Sequence, residues 1–197
     1  MAWLTHQELL DLGFAALGEH VFISNKASLY NCANIHIGHH VRIDDFCMLS
    51  AGEGGIRIGN YVHIAVYCSI IGDGTITFDD FSGLSSRVSV YSSNDDYSGR
   101  AMTNPTVPSA YTKVSRAPVH LGRHVIVGSG SIILPGAVLE DGVAVGALTL
   151  IAKRCETFGI YAGNPARRIK SRSRDLLDLE RALMEGLPPD QDSGISH

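Results

Sequence analysis

Few residues in this chain have types and spacings suited to chemistry. The polar stretch from Tyr91 to Pro118 carries Asn94, Asp95, Asp96 and Tyr97, and it holds no histidine. An aspartate there, desolvated beside a second acid, could have its pKa raised towards neutrality and act as a general base. Turn capping is the competing role, since Asp and Asn bond readily to nearby backbone. His63 stands upstream, able to exchange protons near neutral pH or simply to sit satisfied at the surface. Near the end, Gly163-Asn164-Pro165-Ala166 is followed by Arg167, Arg168 and Lys170, with Lys153 ahead of them. Arginine forks and lysine point charges suit phosphate groups, whereas a charge run before a helix can also be plain solvated surface.

A repeat carries these residues. Positions 121 to 156 divide into six blocks of six: LGRHVI, VGSGSI, ILPGAV, LEDGVA, VGALTL and IAKRCE. Each block opens on an aliphatic residue, and a small or β-branched one fills its fifth place, from Val125 to Cys155. A helix would rotate such a stripe away at 3.6 residues per turn, while short strands broken by a corner every six residues keep it inward. The beat extends upstream through blocks opening at Leu17, Ile23, Leu29, Ile37, Ile43, Ile58, Ile64, Phe78 and Leu84. Three blocks per triangular coil predict a parallel β-helix of about six coils, opening at 17, 37, 58, 78, 121 and 139. The first four coils, at 20, 21, 20 and 43 residues, exceed eighteen, and each surplus falls after the third block. The spare residues therefore gather along one edge, where repeat proteins build sites.

The remaining segments are short. Residues 1–16 read as a capping helix, with Thr5 and Glu8 forming a capping box, Leu4 and Leu9 a hydrophobic staple and Gly13 a stop. This helix covers strand edges that would otherwise be open. The β-helix domain is expected over 17–170, with the inserted loop at 91–118, a helix over 171–186 and a disordered tail over 187–197. Leu176, Leu179, Leu183 and Met184 form the apolar stripe of that last helix. With 45% hydrophobic residues the chain can fill a core, and its net charge of −4 argues against nucleic acid as a partner. No apolar run is long enough to span a bilayer. The N-terminus lacks the basic and apolar regions of an export signal, so a cytoplasmic location is expected. Cys47, Cys68 and Cys155 fill inward fifth places and Cys32 lies one place earlier in its block, as expected of reduced core thiols.

The hexad array, the large loop before the last two coils and the closing Gly163-Asn164-Pro165-Ala166-Arg167 together resemble the left-handed β-helix acyltransferases. Within them the chain is most similar to the maltose and galactoside O-acetyltransferases and the sugar acetyltransferases of polysaccharide synthesis. The resemblance covers roughly 17–170 and implies the left hand of the coil, a homotrimer, acetyl-CoA as donor and active sites between subunits. Ser129 and Ala147 match the family's small outward residues where the pantetheine arm approaches. Lys153, Asn164, Pro165, Arg167, Arg168 and Lys170 then belong to the donor site, with the cations facing nucleotide phosphates. Asp73 aligns with an acidic substrate-binding residue of the galactoside enzymes, and Asp96 and Tyr97 are further candidates for contact with the acceptor.

One part of the family's pattern is missing. Those enzymes use a loop histidine as base, and aligning Val88-Ser89-Val90 places Ser93 or Asn94 at its position. Asp95 or Asp96 could replace it, or His63 from the preceding coil. An amine acceptor would need no base, because an unprotonated amine is already nucleophilic; Asn94 would then orient the amine or polarise the thioester. The expectation is an acetyl-CoA-dependent transferase that O-acetylates a sugar, with Asn94, Asp95 and His63 at the chemistry and a carbohydrate or nucleotide-sugar acceptor. Two alternatives remain: N-acetylation of a nucleotide-linked amino sugar, and a zinc-binding or non-catalytic β-helix. The spacings of His120, His124 and the other histidines do not reproduce the zinc ligands of the carbonic-anhydrase relatives, and no metal is expected.

Overall fold

In the computed structural model, which describes residues 2–186, the hexad beat becomes a left-handed parallel β-helix with three flat sheets. The first sheet stacks Ala16–Leu17, Ile35–Ile37, Ile56–Ile58, Ile76–Phe78, Val119–Leu121 and Val138–Leu139. The second runs through Phe22–Ile23, Arg42–Ile43, His63–Ile64, Gly83–Leu84, Ile126–Val127, Ala144–Val145 and Gly159–Ala162. The third holds Ser28–Tyr30, Met48–Ala51, Ser69–Gly72, Ser89–Tyr91, Ile132–Ile133 and Leu150–Ile151. Block openers pair with block openers one coil away, as in Phe78 with Leu121 and Leu121 with Leu139. Their side chains fill the prism: Ile43, Ile64, Leu121, Val127, Ile133 and Leu139 are fully buried. Cys47, Cys68 and Cys155 point inward among them as free thiols, and burial pushes the Cys155 thiol up to about 11.

Six full coils are followed by part of a seventh, in which Cys155 bridges to Leu139 and Gly159–Ala162 joins the second sheet. The chain then reverses, and Arg167–Ser171 pairs antiparallel with Gly159–Ala162. The basic cluster, expected at the end of a turn-rich exit, thus lies on a strand that caps the second sheet and satisfies its last ladder of backbone groups. At the other end, helix α1 (His6–Asp11) is shorter than 1–16. It carries the Thr5–Glu8 capping box and buries Leu9, while Gly13 leaves it at φ +67°. Helix α2 (Leu176–Met184) likewise occupies only part of 171–186 and buries no residue. The tail over 187–197 lies outside the described residues.

The corners explain why the blocks need no glycine at every turn. His20, His40, Tyr61, Phe81 and His124 all take positive φ at the corner between the first and second sheets. They stack in one ladder with ring centroids 4.6–5.0 Å apart. Left-handed backbone is costly for such residues, and stacking of about 0.5–1.5 kcal/mol per pair offsets the strain. Gly142 breaks the ladder because the ring of Phe158 lies where a Cβ would be, at 2.6 Å. All four surplus stretches fall at the corner between the third and first sheets. There Asn31 and Asn34 donate to the carbonyls of Ala51 and Gly52, and Ser92 Oγ donates to Gly74.

Candidate active site

The long insertion is ordered by its own side chains. Ser93–Asn94 pairs with Ser115–Arg116 in a two-stranded ribbon, and Arg116 reaches Asp73 at 3.1 Å and Glu53 at 3.4 Å. Asp73 is thereby tied into the stacked insertions. Asp96 accepts from the Ser98 amide and hydroxyl on one oxygen, and from the Arg100 and Ala101 amides on the other. These bonds, led by the Ser98 hydroxyl, hold its carboxyl below the ordinary value. A general base needs the opposite shift, so Asp96 is a loop organiser here. Asp95 is half-buried and lines a hollow with Asn104, Pro105 and Thr112. Tyr97 projects into solvent, 90% exposed.

His63 faces a different surface. A groove of about 650 Å³ crosses the second sheet from the aromatic corner (Tyr61, Phe81, His124) to Ser85, Ser86 and Ser129 at the opposite corner. His63 lies along it, with Nε2 2.9 Å from Asp44 Oδ2, and Asp44 Oδ1 accepts from Arg42 Nε at 2.7 Å. Asp44 is 5% exposed, so a buried carboxylate holds the imidazole by one nitrogen, and the other makes no hydrogen bond to a described residue. Arg172 and Leu176 close the groove from the C-terminal segment. Sequence reasoning missed Ser85, Asp44 and Arg172. Ser85 and Asp44 look like ordinary block residues, and the pairings depend on neighbours one coil or more away.

The donor candidates divide in two. Ser129 and Ala147 sit at the same corner of successive coils, where the Leu148 amide donates to the Ser129 carbonyl at 2.9 Å. A second hollow of about 350 Å³, at the end of the solenoid, is lined by Lys153, Arg154, Pro165, Ala166 and Arg167. Its lining contains no carboxylate, which fits phosphate groups. Arg168 bonds to Ser171, and Asn164 and Lys170 are exposed beside them. Among the described residues no three His, Cys, Asp or Glu side chains are placed to hold a metal ion. No described helix is long and apolar enough to cross a membrane.

No family model matches the chain. Over 180 residues, 91% of this chain and 94% of its relative, it is 54% identical to dTDP-4-amino-4,6-dideoxy-D-glucose acyltransferase of Escherichia coli. The chain belongs to the left-handed β-helix sugar acyltransferases. The crystal structure of AntD, an N-acyltransferase from Bacillus cereus in complex with dTDP and coenzyme A, superposes on this acyltransferase with a TM-score of 0.90. The two are 41% identical over 95% of this chain and 100% of that one. Solved forms of AntD carry substitutions at one aspartate and at a serine ten positions before it, and two serine variants hold dTDP-4-amino-4,6-dideoxyglucose and coenzyme A. A maltose O-acetyltransferase from Clostridium difficile, 21% identical with a TM-score of 0.58, shares the fold alone.

Proposed function

We propose that this acyltransferase moves an acyl group from acyl-coenzyme A to the amine of a nucleotide-linked deoxyamino sugar. The 54% identity, over 91% of this chain, to an enzyme named for such a substrate carries the reading. It favours N-acylation over the O-acetylation expected from the sequence. It also accounts for the missing loop histidine: the amine nitrogen attacks the thioester carbonyl unaided by a strong base, whereas a hydroxyl needs help worth about 10²–10⁴ in rate. A C–N bond replaces the C–S bond, and coenzyme A leaves as the thiol with the proton that the nitrogen sheds. His63, steadied by Asp44, is placed to relay that proton, with Asn94 and Asp95 orienting the amine. Lys153 and Arg167 hold the donor's phosphates, with Asn164, Pro165, Arg168 and Lys170 around them.

Ser85 and Asp95 show the ten-residue spacing of the two positions substituted in AntD. Ser86 and Asp96 show it too, but Asp96 is occupied by its own loop. Ser85 lies at the corner between the second and third sheets, Asp95 at the corner between the third and first. One prism cannot bring two edges together, so a site using both takes Asp95 from a neighbouring copy, in keeping with a homotrimer. The test is thiol release from acetyl- and 3-hydroxybutyryl-CoA. dTDP-4-amino-4,6-dideoxyglucose should be acylated, and the same nucleotide sugar with a hydroxyl in place of the amine should not. Faster turnover of the hydroxyl sugar would overturn the proposal.

A further inference from the structure

Arg172 is a cation with no matching anion among the described residues. Nη1 donates to the carbonyls of His124 at 2.8 Å and Gly142 at 3.1 Å, which fixes the guanidinium at the mouth of the groove. No carboxylate of the described residues lies within 4.0 Å of it. Glu180, the acid that docks α2, is already matched by Arg123 and His124. Burial draws the Arg172 guanidinium below its ordinary pKa, the mark of a desolvated charge that an incoming anion would stabilise. Apart from Arg172, the groove is lined by neutral side chains and histidines and by no Asp or Glu. The hydroxyls of Ser85, Ser86 and Ser129 make no hydrogen bond to any described residue, whereas that of Ser82 is used on Asp79.

The molecule's other arginine-bearing surfaces differ. The hollow holding Arg57 and Arg123 is also lined by Asp79, Asp80 and Asp141, which would repel a phosphate. Lys153, Arg154 and Arg167 line the separate hollow assigned to the donor. Of these three hollows, the groove is the one that holds an arginine, no acid and none of the residues assigned to the donor's phosphates.

We propose that Arg172 binds the diphosphate of the nucleotide-linked acceptor, setting it at one end of the second-sheet groove with the sugar amine at Ser85 at the other. The corners at Phe81 and Ser85 flank the short strand Gly83–Leu84 and are four residue steps apart, at most about 14 Å, the scale of a diphosphate and a hexose ring in series. The free edge of the guanidinium, Nε and Nη2, offers the paired donors that phosphate oxygens take in bidentate form. This inference rests on the nucleotide-sugar reading above.

Calorimetric titration with dTDP, thymidine and coenzyme A separates the possibilities. Arg172→Gln should weaken dTDP by about ten- to a hundredfold while leaving coenzyme A unchanged, Arg172→Lys should recover part of the loss, and inorganic pyrophosphate should compete with dTDP on the native enzyme. Native dTDP affinity in Arg172→Gln would overturn the inference and leave the nucleotide-sugar reading standing. Equal losses for dTDP and coenzyme A would also overturn it, by showing that Arg172 only holds the corner together. A native enzyme that binds no nucleoside diphosphate would overturn both.

Discussion

Glu180 is the polar anchor of α2, and its removal should unlatch that helix without melting the solenoid. Oε1 accepts from Arg123 Nε at 3.0 Å and from Nη2, and Oε2 meets His124. The side chains are 15% exposed for Glu180, 11% for His124 and 34% for Arg123, so the network lies between a buried and a surface pair. Charge-assisted bonds contribute about 1.5–3 kcal/mol and exposed pairs about 0–1. Glu180→Gln, which keeps the shape and loses the charge, should thus cost about 2 kcal/mol of docking. Because α2 buries no residue, little else resists opening. Hydrogen exchange read by mass spectrometry should show amides of 179–186 losing protection about 30-fold, while Ile133 and Leu139 keep theirs. The pH dependence follows from the same network. The Arg123 hydrogen bond, then His124, holds the Glu180 carboxyl below its ordinary value. The docking energy is therefore complete above the ordinary carboxylate pKa and is lost as pH falls through the lowered one. The variant should lack that acid-induced loss. Unchanged exchange in α2, or a rise spread evenly over the chain, would refute this account of how the helix is held.

Three further outcomes can be measured. Cys68→Arg drives a large cation into a fully buried place and should give no soluble folded protein, whereas Cys68→Ala should remain folded by size-exclusion chromatography and circular dichroism. If Ser85 and Asp95 come from different copies, Ser85→Ala and Asp95→Asn proteins should both be impaired, and mixing them through unfolding and refolding should restore part of the turnover. No recovery in mixtures shown to contain mixed assemblies would place both residues in one chain's site. Lys153→Gln combined with Arg167→Gln should raise the KM for acyl-CoA about tenfold or more with little change for the acceptor; an acceptor effect of equal size would remove these residues from the donor site.

The solenoid was legible because its information is local and periodic: Leu121, Val127 and Ile133 announce three faces before any contact is known. The surplus residues could be assigned to one corner for the same reason. The site was harder to read, since Asp44 meets His63, Arg172 meets His124 and Glu180 meets Arg123 across one or more coils, and each looks like ordinary surface in its own block. Asp96 shows the opposite failure. Its residue type suggested chemistry, while four donors within five residues of it had already committed the carboxylate to folding its own loop. For α2, the leucine stripe correctly marked a helix but not its attachment, which is electrostatic, with Leu179 and Leu183 left more than half exposed.

The groove draws its solenoid side chains from the coils opening at 58, 78 and 121, whereas the hollow with Lys153 belongs to the final turns. Stacked strands are about 4.8 Å apart, so the reach from the groove to that hollow along the axis comes in whole steps of that size. Point substitutions can reshape either end but cannot alter the span between them. Duplicating or deleting eighteen residues between those turns would change it by one full notch, while the same edit near the N-terminus would lengthen the rod and leave the measured interval intact.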